Sequence, residues 1–215
     1  MENSSPFDLL AEEYDSWFDN EGRLIFETEL LAFKKILPLL PKPWLEIGVG
    51  SGRFAQALGI EVGIDPSEEL LKLARNRGIE VYKVKGEEKF FKGQSFGTIF
   101  LIVTLCFVES PIAILKEANR ILKPDGKIVL GLVLKDNPWG KLYMKKKSEG
   151  HRFYKYANFY SFKEIEKFLL GSGFRIERII STLFQDPNNL KNVESPREGF
   201  FESAGFTIIL GSKVL

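Results

Sequence analysis

The sequence predicts an α/β fold: a mostly parallel sheet of seven strands between two layers of helices, with one antiparallel strand near its edge. Three observations carry this. Short apolar runs alternate with helical patterns along most of the chain, the order that a parallel sheet with crossover helices requires. The run "PWLEIG" passes through glycines straight into a helical pattern. The last two runs, "FRIERIISTLF" and "GFTIILGSKVL", have no helical pattern between them and so read as antiparallel neighbours.

The elements follow in order. "EGRLIFETELLAFKKILPLL" sets Leu24, Ile25, Leu30, Leu31, Phe33 and Leu37 at helical spacing, and Pro38 ends it. "PWLEIG" is the first strand, "GRFAQAL" a helix and "EVGID" the second strand. Ser67 is placed to cap the helix "EELLKLARNRG", and Gly78 lies just past its end. "IEVYKV" and "FGTIFLIVTL" are the third and fourth strands. The helix "SPIAILKEANRIL" stops at the turn "KPDG" before a fifth strand, "KIVLGLVL". "SFKEIEKFLLGSG" is a further helix. Residues 1–40 and the loop-rich, aromatic and basic stretch 135–160 stand outside the alternation; they read as a helical cap and a lid-like insert on a single domain, 1–215.

Composition narrows the function. Thirty basic residues face 29 acidic ones, for a formal charge of +1, so a globally basic nucleic-acid binder is not indicated. Cys106 is the single cysteine and no Cys/His cluster has zinc-ligand spacing, which fits a reducing cytoplasm and no bound metal. The N-terminus "MENSSPFDLLAEEYDSWF" lacks a basic flank followed by an apolar signal core. No apolar run approaches the ~20 residues that span a bilayer. Abundant Lys and Glu lean towards a thermophilic source.

The stretch "EIGVGSG" is the most informative. A strand leading through glycines into a helix brings backbone N–H groups to a ligand, and Gly48 and Gly50 permit turn torsions and close approach. Three close glycines also make an ordinary hairpin. Context favours the ligand: the second strand ends in Asp65, 19 residues after Glu46, where a carboxylate can accept both hydroxyl hydrogens of a ribose. The dinucleotide fingerprint wants its third glycine three residues after the second. Arg53 stands there, and the glycine comes early, at Gly52.

The pattern E-x-G-x-G-x-G, from Glu46 to Gly52, resembles the first motif of class I S-adenosylmethionine-dependent methyltransferases. "GIDPS", with Asp65 and Pro66, resembles their second. The stretch from "VKGEEKFF" to "KIVLG" is similar to the ubiquinone and menaquinone methyltransferase subgroup. The resemblance covers roughly residues 10–213 and implies a Rossmann-like three-layer sandwich that binds S-adenosyl-L-methionine and methylates a small molecule. It places Gly86 and Glu87 at the adenine, Asp65 on the ribose, and Thr104 and Leu105 beside the methionine and methyl group. It also puts Tyr14, from "YDSWF", at the methionine end, with Arg23 pairing its carboxylate. Tyr14, Trp17 and Phe18 fit equally the packing of a helix on the sheet. One departure is that "YKVKGEE" offers Lys83 and Lys85 where many relatives carry an adenine-binding aspartate.

No general base is evident. His151, the only histidine, reads as an exposed loop residue, and Cys106 as a small hydrophobe. In the insert, cations such as Lys145, Lys146 and Lys147 interleave with Trp139, Tyr143 and Tyr154. Such a segment suits either a planar or anionic acceptor, RNA included, or a lid whose rings pack down beneath solvated charges. Together with residues 1–30 it is expected to wall the acceptor pocket. A nicotinamide-dependent oxidoreductase, a non-catalytic cofactor-binding protein and an RNA methyltransferase remain the alternatives.

Overall fold

A computed structural model describes residues 7–214; the first six residues, and with them part of the N-terminal reading, lie outside it. The sheet has the strand order β3-β2-β1-β4-β5-β8-β6-β7. Five strands are parallel: β1 (Trp44–Ile47), β2 (Val62–Asp65), β3 (Glu80–Lys83), β4 (Phe96–Ile102) and β5 (Leu122–Leu132). β8 (Phe206–Lys213) inserts between β5 and β6 (Phe174–Thr182), antiparallel to both. The eighth strand is β7, only Arg197–Glu198, paired with β6. Two residues are too few to leave a periodic signal, so the sequence shows seven strands.

Each side of the sheet carries a core because strand side chains alternate. Leu45, Ile47, Ile99 and Leu101 face α5 (Pro111–Ile121) and α7 (Phe162–Gly171). Trp44, Phe100 and Phe206 face α2 (Arg23–Lys34), α3 (Arg53–Leu58) and α4 (Glu68–Asn76). The same alternation turns Glu46, between Leu45 and Ile47, to the α2 side. The caps form where the sequence places them: Ser67 Oγ accepts from Leu70 N–H, and Ser161 and Glu164 make a reciprocal capping box on α7.

Three local readings need correction. α2 ends at Lys34 rather than at Pro38, and Leu37 falls in the short 3-10 turn that follows. Ile25, Leu30 and Leu37 pack partly buried against the core that holds Phe33, whose ring meets Phe54 and Phe206 edge-on; the buried face also takes in Thr28, Glu29 and Ala32. β5 begins at Leu122, and its pairing with β4 skips from Phe96↔Leu122 to Thr98↔Lys127, absorbing the "KPDG" turn. The stretch 135–160 is less loop-rich than its composition implies. It contains an eleven-residue helix, α6 (Pro138–Ser148), capped by Asn137 Oδ1 on Gly140 N–H. No helix among the described residues is long and apolar enough to cross a membrane.

Candidate active site

The glycine turn stands at the carboxyl end of β1. Gly48, Gly50 and Gly52 all have positive φ, 76°, 52° and 81°, a region that disfavours any residue with a Cβ. At Gly48 there is also no room, since a Cβ would lie 2.4 Å from Thr104 Cγ2. The turn's N–H groups, however, point inward. Those of Gly48 and Val49 donate to Ile64 O, that of Gly52 to Val49 O, and that of Gly50 to Asp65 Oδ2. The turn is therefore not an anion cradle.

Two carboxylates flank it. Asp65 Oδ2 takes the Gly50 N–H at 3.0 Å and Oδ1 the Ser67 N–H at 2.8 Å; burial nevertheless raises its pKa to about 6. Each oxygen keeps a second lone pair. Glu46 is fully buried and its Oε2 has no hydrogen-bond partner. Burial, then the nearby Asp65 charge, push its pKa well above the carboxylate range.

A segment from the N-terminus covers this region. Asp8 Oδ1 accepts from Ser67 Oγ–H at 2.5 Å. On α1 (Ala11–Trp17), Asp15 receives both forks of Arg53, Nε on Oδ1 and Nη2 on Oδ2, each at 2.8 Å. Arg77 adds a third bond to Asp15 and Asp19 a second partner for Arg53. Burial opposes ionisation of Asp15, but the hydrogen bonds from Arg53 and Arg77 prevail and hold its pKa at about 2. Arg53, the residue that breaks the dinucleotide spacing, is thus the latch of the cap. Tyr14 lies over the turn, its ring 3.7 Å from where a Gly50 Cβ would sit.

Beyond the turn opens a cavity of about 520 Å³, within the size range of small-molecule sites. Glu46, Gly48 and Tyr14 border it on one side; Glu29, Tyr143, Tyr154 and Phe159 line it too. The end of β4 contributes Val103, whose φ of 53° is a costly conformation for a β-branched residue. The expected pair Thr104 and Leu105 is out of phase with the cavity. Thr104 Oγ1 bonds Ile47 O beneath the glycine turn, Leu105 is core, and Ile102, Val103, Cys106 and Phe107 do the lining. Burial pushes the Cys106 thiol up to about 12, consistent with an inert side chain.

The cap and the 135–160 segment meet over the cavity. Phe7 and Tyr14 pack against Phe153, and Arg152 pairs with Glu13 at 2.7 Å. The rings of Tyr143 and Tyr154 stack at 4.4 Å. Two of the basic residues outside find partners: Lys135 with Glu164, and Lys147 with Ala157 O. His151 is a correction, since it is half-buried and lines the cavity. Arg23 is another: it is exposed, pairs with Glu27 and does not line the cavity. Pro66 is exposed beside Asp65, while Gly86 and Glu87 form a turn after β3, outside the cavity.

Comparisons with known proteins now bear on this geometry. Residues 45–130 match the family model described as a methyltransferase domain. An uncharacterized protein of Methanocaldococcus jannaschii is 41% identical over 97% of this chain and 98% of its own. A solved structure from Thermotoga maritima is described as a SAM-dependent methyltransferase, possible histamine N-methyltransferase. It is 39% identical, with a TM-score of 0.89 over 97% of this chain and 98% of that one. The chain belongs to the S-adenosylmethionine-dependent methyltransferases. A ubiquinone biosynthesis O-methyltransferase of Xanthomonas oryzae pv. oryzae is more distant, 30% identical over 60% of each chain.

The methyltransferase's own residues fit its cofactor, S-adenosylmethionine. Glu46 Oε2 is a buried acceptor without a partner, suited to the cofactor's ammonium. The inward-turned N–H groups suit a cofactor without phosphate, and the dinucleotide reading falls away. Tyr143 and Tyr154 line the cavity from the segment expected to wall it, and Glu29 from the other, residues 1–30, where it was not singled out; Val103 was not anticipated. For Glu29 a signal existed, a carboxylate four residues before the buried Phe33 and so on the same helix face.

Proposed function

We propose that this methyltransferase acts on a small-molecule acceptor held in the 520 Å³ cavity. The observation that carries this is the enclosure: cap and 135–160 segment close over an aromatic chamber continuous with Glu46 and Gly48. A chamber of this size admits a small molecule, and three of the basic residues that would serve RNA, Lys135, Lys147 and Arg152, are engaged with protein partners.

In this reading Glu46 holds the cofactor's ammonium and Asp65, beside Pro66, accepts the ribose hydroxyls. Gly48 and Gly50 allow the close approach, Tyr14 covers it, and Gly86 and Glu87 border the adenine. When bound, the cofactor supplies a methyl group already activated by its sulfonium. What remains for the protein is to orient the acceptor, exclude water and receive a proton where the acceptor must lose one. The 1–40 and 135–160 segments act as covers of one domain, and a lone unpaired Cys106 suits the cytoplasm.

The relatives' names point to different acceptor atoms, nitrogen in one and oxygen in the other, so the atom has to be read from the cavity. Calorimetry with S-adenosylhomocysteine tests the cofactor assignments. Asp65→Ala should weaken binding about 10- to 100-fold, the loss of hydrogen bonds to a charged group; unchanged affinity would remove Asp65 from the ribose. A product-detecting screen with labelled S-adenosylmethionine against metabolite extract tests the acceptor class, and label appearing only in RNA would refute it.

A further inference from the structure

We propose that Glu29 makes the cavity a site for a small amine, first pairing with its ammonium and then taking its proton. The inference rests on the methyl-transfer reading and names the acceptor class for it.

Glu29 sits in the middle of α2, one turn before Phe33, whose ring is fixed in the core by Phe54 and Phe206. The helix therefore cannot rotate Glu29 out to solvent without extracting Phe33. The residue is 6% exposed, and it lines the cavity. Among the described residues it has neither an ion pair nor a hydrogen bond, and burial alone raises its pKa, to about 8. A buried carboxyl without a partner costs stability, so a core position with no ligand would favour glutamine or leucine.

Its surroundings select the partner. Tyr143 and Tyr154 are near enough for the Glu29 charge to act on both hydroxyls. Their stacked rings and Phe159 present aromatic faces around a carboxylate, the combination that recognises an organic ammonium. Of the cations lining the cavity, Arg53 is held by Asp15 and Asp19 and Arg152 by Glu13, while Lys146 lies over the Tyr143 ring and makes no ion pair with Glu29. An anionic acceptor would add a further acidic group beside Glu29 and Glu46 in one cavity. A neutral alcohol would leave the carboxylate without its counter-charge.

The chemistry balances. The bound ammonium R–NH3+ gives one proton to a Glu29 oxygen and becomes an amine with a free lone pair. That pair forms the new N–C bond as the C–S bond breaks, and the electrons of the C–S bond return to sulfur. The products are R–NH2+–CH3, a neutral thioether and protonated Glu29, which releases its proton to water when the product leaves.

The test compares 2-phenylethylamine with 2-phenylethanol, probes of one shape differing in the amine. Calorimetry on the wild-type protein loaded with S-adenosylhomocysteine should show the amine binding at least tenfold tighter. Glu29→Gln should erase that preference while binding S-adenosylhomocysteine as the wild type does, and should lose amine methylation from labelled S-adenosylmethionine at least 100-fold. Equal or tighter binding of the alcohol, no binding of the amine, or an unchanged preference in Glu29→Gln would each overturn the proposal. The wild-type comparison needs no variant to fold. Failure of the wild-type protein to bind S-adenosylhomocysteine would instead overturn the methyl-transfer reading, and this inference with it.

Discussion

The two halves of the site are built by different means. In the proposed assignment the cofactor half is made of backbone: three positive-φ glycines, inward hydrogen bonds and a carboxylate fixed by two N–H groups. It comes from β1, β2 and the turn between β1 and α3, within some twenty residues of chain. The acceptor half is made of side chains delivered by α1, α2, the end of β4 and the 135–160 segment. A backbone site tolerates almost no change, whereas a side-chain site can be retuned one ring at a time. One fold can thus keep a constant cofactor while its acceptor varies.

That contrast can be broken most directly at Gly52. An alanine there would need φ near 81° and would place its Cβ 2.5 Å from Ile79 Cδ1 and 3.0 Å from Ala74 Cβ. Left-handed strain and overpacking together should cost about 2–4 kcal/mol, read as a lower midpoint in urea. Phe159→Leu in the acceptor half should cost less than about 1.5 kcal/mol and change acceptor choice. If both cost the same, the distinction between the halves is lost.

A smaller effect sharpens the comparison through pH. Folding raises the Glu29 pKa to about 8 by burial, so the folded chain holds this proton more tightly than the unfolded one. The contribution is whole below the ordinary glutamate pKa and disappears as pH rises towards 8. Glu29→Gln removes that loss. It should stabilise the unliganded protein at pH 8 by up to about 4 kcal/mol and by less than about 1 kcal/mol at pH 5. Thermal melts at the two pH values check this, and a variant equally affected at both would show that Glu29 does not titrate on its own.

The latch behaves oppositely. Asp15 is held at about 2, so its contribution is present above the ordinary aspartate pKa and fades only as pH falls through about 2. Arg53→Ala leaves a half-buried carboxylate with Arg77 as its one remaining ion-pair partner and should loosen the cap by about 1–2 kcal/mol. Hydrogen exchange at α1 should then quicken while β4 and β5 stay protected. Uniform acceleration would mean that the cap and sheet open together.

What could be read from the sequence follows the same division. Glu46, the glycines and Asp65 are short-range features at strand ends, where chain position alone fixes spatial position. Arg23 was placed by resemblance alone; it opens α2 on an exposed side, paired with Glu27. Tyr143 was expected in the pocket wall with the rest of 135–160, but not on a helix, because a basic, aromatic composition masked the Asn137–Pro138 start of α6. Val103 could not be found at all, because its strain arises from where β4 meets Gly131 O rather than from its own residue type. Thr104, its neighbour, was placed beside the methyl group by resemblance, and its side chain instead bonds Ile47 O beneath the glycine turn.

The smallest expected effect is at His151, and it separates a cavity residue from a catalytic one. The imidazole lines the cavity and lies 4.7 Å from the Tyr154 ring. Its Nδ1 accepts from Phe153 N–H at 3.3 Å, which leaves Nε2 as the protonated nitrogen in the neutral ring. Burial, followed by the nearby Lys146 charge, lowers its pKa, so the ring is neutral through the physiological range. A neutral ring with its one lone pair committed to the backbone is not free to take a proton from an acceptor. His151→Gln should therefore change kcat less than about threefold, below 1 kcal/mol, and leave the shape of the pH–rate profile intact. A profile that loses its acid limb in His151→Gln but keeps it in Glu29→Gln would move the proton-accepting role from α2 to the lid.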